Sequence, residues 1–467
     1  MNDGYDVVVV GAGSAGCVLA ARLSQDSDRT VLLLESGPDG SAASIDGPSV
    51  FAALAEPGRL HLGTAAVRTD GSVPTPYQLG RGIGGSSSVN AMIGSWGLPA
   101  DYDRWERDLG CTGWSWRDVA PVFASLAIPV AQAHDRELGA VDKALLDAAR
   151  LLGHAMTDAP LPSALPGVGR AWLTRLGHQR VSAADAYLTP ARNRPNLTVR
   201  ADASVARIVL HGTRAVGVQL MTGEMIEAAE VMLSAGAIHS PDLLLRSGVD
   251  RPGIGAGLKD HPSASFTLRL REPADTGSLA AATLLRWSSS TGGPADLQLL
   301  PLNHVGVAGY GSLVVGLMAV RSSGSVRLAG GRTVIRFETL SDDRDRERLR
   351  HAARHVAAIA VTDVFRRIAD AVFVDDQGTT IEQLTDDAAF DAWLDSSIGH
   401  YSHASSTCRM GAVDDAAAVV DTAGRVHGYD ALRVCDASIF PDIPTGNPHL
   451  PVVMVAERIA AVMRAMS

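Results

Sequence analysis

Four consecutive valines, residues 7–10, follow Tyr5 and Asp6 and end at Gly11. A β-branched run with no alternation predicts a strand covered on both faces, the kind found in parallel sheets. Cys17, Val18, Leu19, Ala20, Ala21 and Leu23 then recur with helical spacing, and residues 30–34 form a second apolar run that closes on Glu35. Strand, helix and strand are therefore predicted in that order. Farther along, residues 204–208 are strand-like. Residues 266–270 and 312–320 alternate or run apolar, as strands of a second sheet would. Residues 341–368 carry a helical period, and another helix is predicted to begin near Val452.

The loop between the first strand and helix is Gly11-Ala12-Gly13-Ser14-Ala15-Gly16. Gly11 permits a tight turn, Gly13 lets backbone approach a pyrophosphate, and Gly16 lets the helix lie close to the strand. The helix N-terminus then turns its partial positive charge, with Ser14 and Ala15, toward the phosphates. Glu35, about 20 residues on, accepts the hydroxyls of an adenosine ribose. A glycine loop alone is weak evidence. With strand, helix, second strand and acid in register it predicts a dinucleotide site, without separating FAD from NAD. A second cluster, Gly80-Arg81-Gly82-Ile83-Gly84-Gly85-Ser86-Ser87-Ser88-Val89-Asn90, offers further unhindered N–H groups and hydroxyls to a cofactor.

Composition narrows the class. The 467 residues exceed one ordinary core, so two or three units are expected. Net charge is −10, lysine occurs only at Lys143 and Lys259, and no long basic stretch appears, which argues against a nucleic-acid surface. Cys17, Cys111, Cys408 and Cys435 are far apart with no CxxC pair, so neither a disulfide framework nor a metal site is expected. No apolar run approaches the ~20 residues of a membrane span, and no leader pattern opens the chain. A cytoplasmic protein without a transmembrane segment is the expectation.

The second glycine cluster, followed by Asp101-Tyr102-Asp103-Arg104-Trp105, resembles the first signature of the glucose-methanol-choline (GMC) oxidoreductase family. The stretch from Gly236 through Ser240-Pro241 to Gly248 resembles its second signature. Gly257-Leu258-Lys259-Asp260-His261-Pro262 resembles a further family step, with Gly257 in place of asparagine. The segments at 180–188, 194–197, 325–328 and 432–438 also look like family segments, in family order along the whole chain. The resemblance implies FAD. It places Gly11, Gly13, Gly16 and Glu35 on the ADP half, and Val205 on the adenine through its backbone. Gly85, Ser86 and Asn90 fall near the flavin, with Ala235, Asp436 and Ala437 beside the pyrophosphate and ring system. Val89 stands where some members carry the histidine that bonds FAD covalently, so non-covalent FAD is implied. Ser240 and Pro241 also read as N-cap and first residue of a helix.

Oxidising an alcohol requires a base for the hydroxyl proton, and histidine is the natural choice. Fourteen histidines are present. His61, His134, His154, His178, His351 and His355 lie in polar or helical surroundings and are read as incidental. His403, in Tyr401-Ser402-His403-Ala404-Ser405-Ser406-Thr407, resembles the family's catalytic histidine, although Ala404 and Ser406 replace the usual proline and glycine. His449, in Asn447-Pro448-His449, resembles the second active-site residue. The expected roles are His403 as general base and His449 as orienter and donor to the substrate oxygen. Asn447 takes the second role if the loop is displaced by two residues.

The expected architecture is α/β: a Rossmann-type FAD-binding domain plus a substrate domain with an antiparallel sheet covered by helices. The expected division is FAD-binding parts at 1–110, 196–262 and 405–467, a connecting and cap segment at 111–195, and a substrate-binding domain at 263–404. The implied partners are a small-molecule alcohol and a separate electron acceptor, quinone-like or a redox peptide. An oxidase reducing oxygen and a non-redox lyase or decarboxylase on the same fold are the alternatives. Brevity and composition resemble the actinobacterial mycofactocin-associated members. A trimmed substrate domain suggests a more open site, suited to a bulky or peptide-derived substrate.

Overall fold

Val7, Val8, Val9 and Val10 are all buried in the computed structural model, which describes residues 4–40, 46–157 and 165–466. They form most of β1 (Tyr5–Val10), which leads through the glycine loop into α1 (Ser14–Leu23) and β2 (Val31–Leu34). Every residue of β2 is buried, as its apolar run requires. The chain returns to this sheet only much later, with β3 (Leu197–Arg200) beside β2. A meander follows: β4 (Val205–His211), β5 (Arg214–Leu220) and β6 (Met225–Leu233). Strand β6 is shared. Its first residues pair antiparallel with β5, and Ala228 to Leu233 pair parallel with β1.

After β6 comes α2 (Gly236–Arg246), and then a second, wholly antiparallel sheet. It contains β7 (Pro262–Leu270), β8 (Thr283–Trp287), β9 (Leu297–Leu302) and β10 (Tyr310–Leu317). Helix α3 (Asp343–Ala360) packs on its face, and β11 (Ala369–Phe373) adds at the edge. The order is β11-β7-β10-β9-β8, closed by the strand Gly167–Arg170 from earlier in the chain. The last stretch then supplies β12 (Leu432–Val434), parallel to β6, and α4 (His449–Ala465), packed on α1. The parallel sheet thus runs β12-β6-β1-β2-β3, drawn from three separated stretches of chain. This is the predicted α/β fold with its antiparallel second sheet.

Two local expectations are corrected. The helix expected to open with Ser240 as cap and Pro241 as first residue begins five residues earlier, at Gly236, so Pro241 lies inside α2. A proline there cannot donate to the carbonyl of Ala237; the Thr407 hydroxyl donates to it instead, at 2.7 Å. Helix α4 likewise opens at His449, three residues before the expected start. Residues 325–328 form a strand, in a separate three-stranded sheet. Among the described residues no helix is long and apolar enough to cross a membrane, and no group of side chains is arranged to hold a metal ion. The four cysteines are buried and unpaired.

The second sheet is tied to α3 by charge as well as apolar packing. Arg348 is 3% exposed; it meets Asp296 at 3.2 Å and also pairs with Asp345, both carboxylates being fully buried. Removing the guanidinium would leave two buried acids without their countercharge. Arg348→Ala is expected to lower stability by about 3–5 kcal/mol, read from urea unfolding monitored by tryptophan fluorescence.

Candidate active site

The carboxyl ends of β1, β2, β6 and β12 open onto one cavity of about 520 Å³, where ligands bind in open α/β sheets. Its far wall comes from the second sheet and its following loop, through Leu300 and Tyr401 to Ala404. Of the residues given a cofactor or catalytic role from the sequence, all but Gly16 line it.

The glycines divide the labour as their spacing requires. Gly11 has φ +98°, and a Cβ there would stand 2.6 Å from the carbonyl oxygen of Ser234. A Cβ on Gly16 would fall 1.8 Å from the Gly11 carbonyl, so Gly16 sets how closely α1 meets β1. At Gly13, by contrast, a Cβ would meet nothing within 4 Å and would project into open space. Gly85 packs its backbone on Gly13, joining the two glycine clusters. Helix α1 has no side-chain cap and no acid in its first turn, which leaves its N–H groups free for an anion. Helix α4 also begins without a side-chain cap, and Ser14 Oγ meets His449 Nδ1 at 3.1 Å. Two helix N-termini therefore converge on one spot.

Glu35 is buried at the adjoining end. Its Oε2 accepts from Ala12 N–H at 2.9 Å, and its Oε1 accepts from Gly37 and Gly82 at 2.8 and 3.0 Å. The carboxylate thus holds both glycine clusters while facing the cavity. Val205 lines the wall nearby with Ala203 and Ser204. Asp436 lies at the end of β12, where its carboxylate accepts from Gly236 N–H at 2.8 Å, Ser240 Oγ at 2.6 Å and Ser438 N–H at 2.8 Å. It ties the start of α2, with Ala235, to the Ala437 turn.

At the opposite end stands His403. Its Nε2 meets Asn447 Nδ2 at 3.4 Å and its Nδ1 meets His261 Nδ1 at 2.8 Å. The structure brings Asn447, and not His449, to His403. Asn447 Oδ1 and His449 Nε2 are buried without a partner among the described residues, although both side chains line the cavity. Such orphaned polar atoms mark a place where a ligand completes the hydrogen bonding. Asn90, also on the wall, accepts from the Arg180 guanidinium at 2.8 Å.

Beneath His403 a buried acid stitches the loops together. One Asp260 oxygen accepts from the backbone N–H of His261 at 2.6 Å and of His403 at 2.9 Å. The other accepts from Tyr77 Oη at 2.5 Å, and Tyr77 in turn accepts from Ala404 N–H at 3.0 Å. Burial drives the Asp260 pKa up to about 7, against these hydrogen bonds, which lower it. Burial likewise pushes His403 well below 6.5, helped by His261 and Arg286, so the ring is neutral. His449 is lowered to about 4, by burial and then by Arg180.

Some residues of the site escaped sequence reasoning. His61 was read as incidental, yet it lines the cavity with its ring 4.7 Å from that of His239. Asp260 and His261 stood in a quoted motif without a role; two adjacent polar residues ahead of an apolar strand were the available signal.

Geometry separates two glycine substitutions. Gly13→Val is expected to leave the thermal melt of the flavin-free protein unaltered but to lower co-purified flavin about tenfold or more, measured by absorbance after denaturation. Gly16→Ala is expected to destabilise the fold itself, by about 1–3 kcal/mol.

The chain as a whole has counterparts among known proteins. Two GMC oxidoreductase family models match the chain, one over residues 5–263 and one over residues 320–456. The chain is similar to 5-(hydroxymethyl)furfural oxidase of Methylovorus sp. (strain MP688), 33% identical over 98% of each chain. It is also similar to the oxygen-dependent choline dehydrogenase of Photobacterium profundum, 30% identical over 98% of this chain and 93% of that one. Among solved structures, pyridoxine 4-oxidase from Mesorbium loti superposes with a TM-score of 0.88 at 28% identity, covering 99% of both chains. With both halves matched and relatives aligned end to end, the chain belongs to the GMC oxidoreductase family of FAD-dependent enzymes acting on CH–OH groups.

Proposed function

We propose that this chain oxidises an alcohol to a carbonyl with non-covalently held FAD, His403 taking the hydroxyl proton. The carrying observation is His403 on the cavity wall with its Nε2 3.4 Å from Asn447 Nδ2, where burial disfavours the protonated ring and so leaves a base available.

Gly11, Gly13, Ser14 and Ala15, with His449 at the converging helix ends, would hold the pyrophosphate. Glu35 and Val205 would hold the adenosine. Gly85, Ser86, Asn90, Ala235, Asp436 and Ala437 would line the flavin half. When bound, FAD supplies the hydride acceptor. Val89 on the cavity wall carries no nucleophile, which supports non-covalent attachment.

A substrate hydroxyl reaching His403 Nε2 gives its proton to that atom. Asn447 Nδ2–H donates to the substrate oxygen and orients it, the role that the sequence first suggested for His449. His449 is engaged by Ser14, which supports a place at the cofactor instead. Ala91, Ile93 and Leu300 on the same wall are apolar and exclude water from the reacting end. Electrons then leave to a non-oxygen acceptor, quinone-like or a redox peptide. Transfer to oxygen is a second reading, favoured by the oxidase names of the furfural and pyridoxine relatives.

Under anaerobic conditions the bound flavin is expected to bleach with at least one member of an alcohol panel. His403→Ala should retain flavin but slow that bleaching about 10²–10⁴-fold. Because the His403 pKa is depressed, kcat/KM should be level near neutral pH and fall only well below the ordinary histidine range, as the ring takes up a proton. An acid limb above pH 7, or bleaching as fast in the variant, would refute the base assignment. Reoxidation with quinones against oxygen separates the two acceptors.

A further inference from the structure

The Nδ1 atoms of His261 and His403 lie 2.8 Å apart, with the rings nearly perpendicular at 88°. Two bare nitrogens, or two N–H groups, would repel at this distance, so one ring donates and the other accepts. Which ring donates decides what His403 presents to the cavity, because a neutral imidazole carries one proton. If Nδ1 holds it, Nε2 is a lone pair; if Nε2 holds it, the ring has no base to offer there.

The surroundings favour one arrangement. Asn447 Nδ2 can only donate, and it faces His403 Nε2. A neutral His261 also carries one proton, and the backbone carbonyls of Met318 and Pro444 favour keeping it, although no hydrogen bond closes on Nε2 among the described residues. With Nδ1 turned to His403, that proton belongs on His261 Nε2. His261 Nδ1 is then an acceptor, and His403 Nδ1–H its donor. Asp260 keeps the two rings in register, because one of its oxygens accepts from both backbone N–H groups. Arg286, buried close by, raises the cost of a second proton on either ring.

We propose that His261 is a positioning residue for alcohol oxidation: its Nδ1 lone pair accepts from His403 Nδ1–H and holds His403 in the tautomer whose bare Nε2 faces the substrate. The ring pair stays sound as the reaction proceeds. When His403 Nε2 takes the substrate proton, Nδ1–H is still donated to His261, and the positive charge is delocalised over the His403 ring without any proton entering His261. His261 is fully buried and does not line the cavity, so it acts through His403 alone. This rests on His403 being the base.

The test uses the flavin-loaded enzyme and an alcohol that bleaches it. His261→Leu removes the acceptor and is expected to slow anaerobic flavin reduction about 10–100-fold, with flavin content and half-saturating alcohol concentration nearly unchanged. His261→Asn, whose side-chain oxygen replaces Nδ1 as acceptor, is expected to restore the rate to within about threefold. In the unsubstituted enzyme, nitrogen-15 NMR of labelled histidine should show the signal missing in His403→Ala as protonated at Nδ1 and bare at Nε2. A protonated Nε2, or an unslowed His261→Leu, would overturn the proposal whether or not the other variant folds. If His403→Ala bleaches at the normal rate, the base assignment itself fails; if only His261→Leu does, the positioning role alone falls.

Discussion

A single buried carboxylate makes the reacting end of this molecule one object. Asp260 ends the connection from the FAD-binding sheet and sits immediately before β7, the strand that begins the second sheet. His403 comes more than a hundred residues later, on the loop leaving that sheet. One oxygen of Asp260 holds both backbones, and Tyr77 holds the other oxygen together with the next backbone N–H at Ala404. An acid kept in an apolar setting is tolerable only when such donors surround it. The same requirement places the proposed base: wherever the acid is satisfied, His403 is fixed over the end of the cavity.

The cofactor end is organised by a comparable economy of contacts. Glu35 spans two glycine clusters some seventy residues apart, and Asp436 spans the start of α2 and the turn after β12. Each acid faces the cavity while completing the backbone hydrogen bonding of the loops beside it. Shape and chemistry are thus coupled: a loop cannot shift without leaving an N–H unpaired in a buried place. Even the interior proline of α2 follows this pattern, since the carbonyl it strands is taken up by Thr407 from the loop that carries His403.

Much of this was legible from residue order. Val7, Val8, Val9 and Val10, the glycine loop and Glu35 specify a local unit, because neighbouring residues supply strand, turn, helix and acid together. The two sheets could be anticipated for the same reason. The pairing within the site was not legible to the same degree. Asn447 and His449 are two positions apart, and which one meets His403 depends on where α4 begins, a boundary set by packing against α1. His61 had no local pattern to distinguish it, and only the fold brings it to His239. The departures from family residues have backbone explanations that appear only in three dimensions. Gly257 adopts φ +77°, a region that asparagine also tolerates, so the exchange leaves the turn intact. Ser406 adopts φ +70° without glycine's freedom, and its N–H is tied to the Ala437 carbonyl at 3.0 Å.

The pairing of β12 with β6 has a consequence for how the chain comes into being. Synthesis proceeds from the N-terminus, so β1, β2, β3 and β6 are complete long before residues 432–434 leave the ribosome. Through that interval β6 has an open hydrogen-bonding edge, and α1 lacks the apolar cover that α4 later gives it. The entire antiparallel sheet must be made while the first sheet waits unfinished. A newly made chain therefore carries an open strand edge until residues 432–465 arrive, and the cavity can close only then.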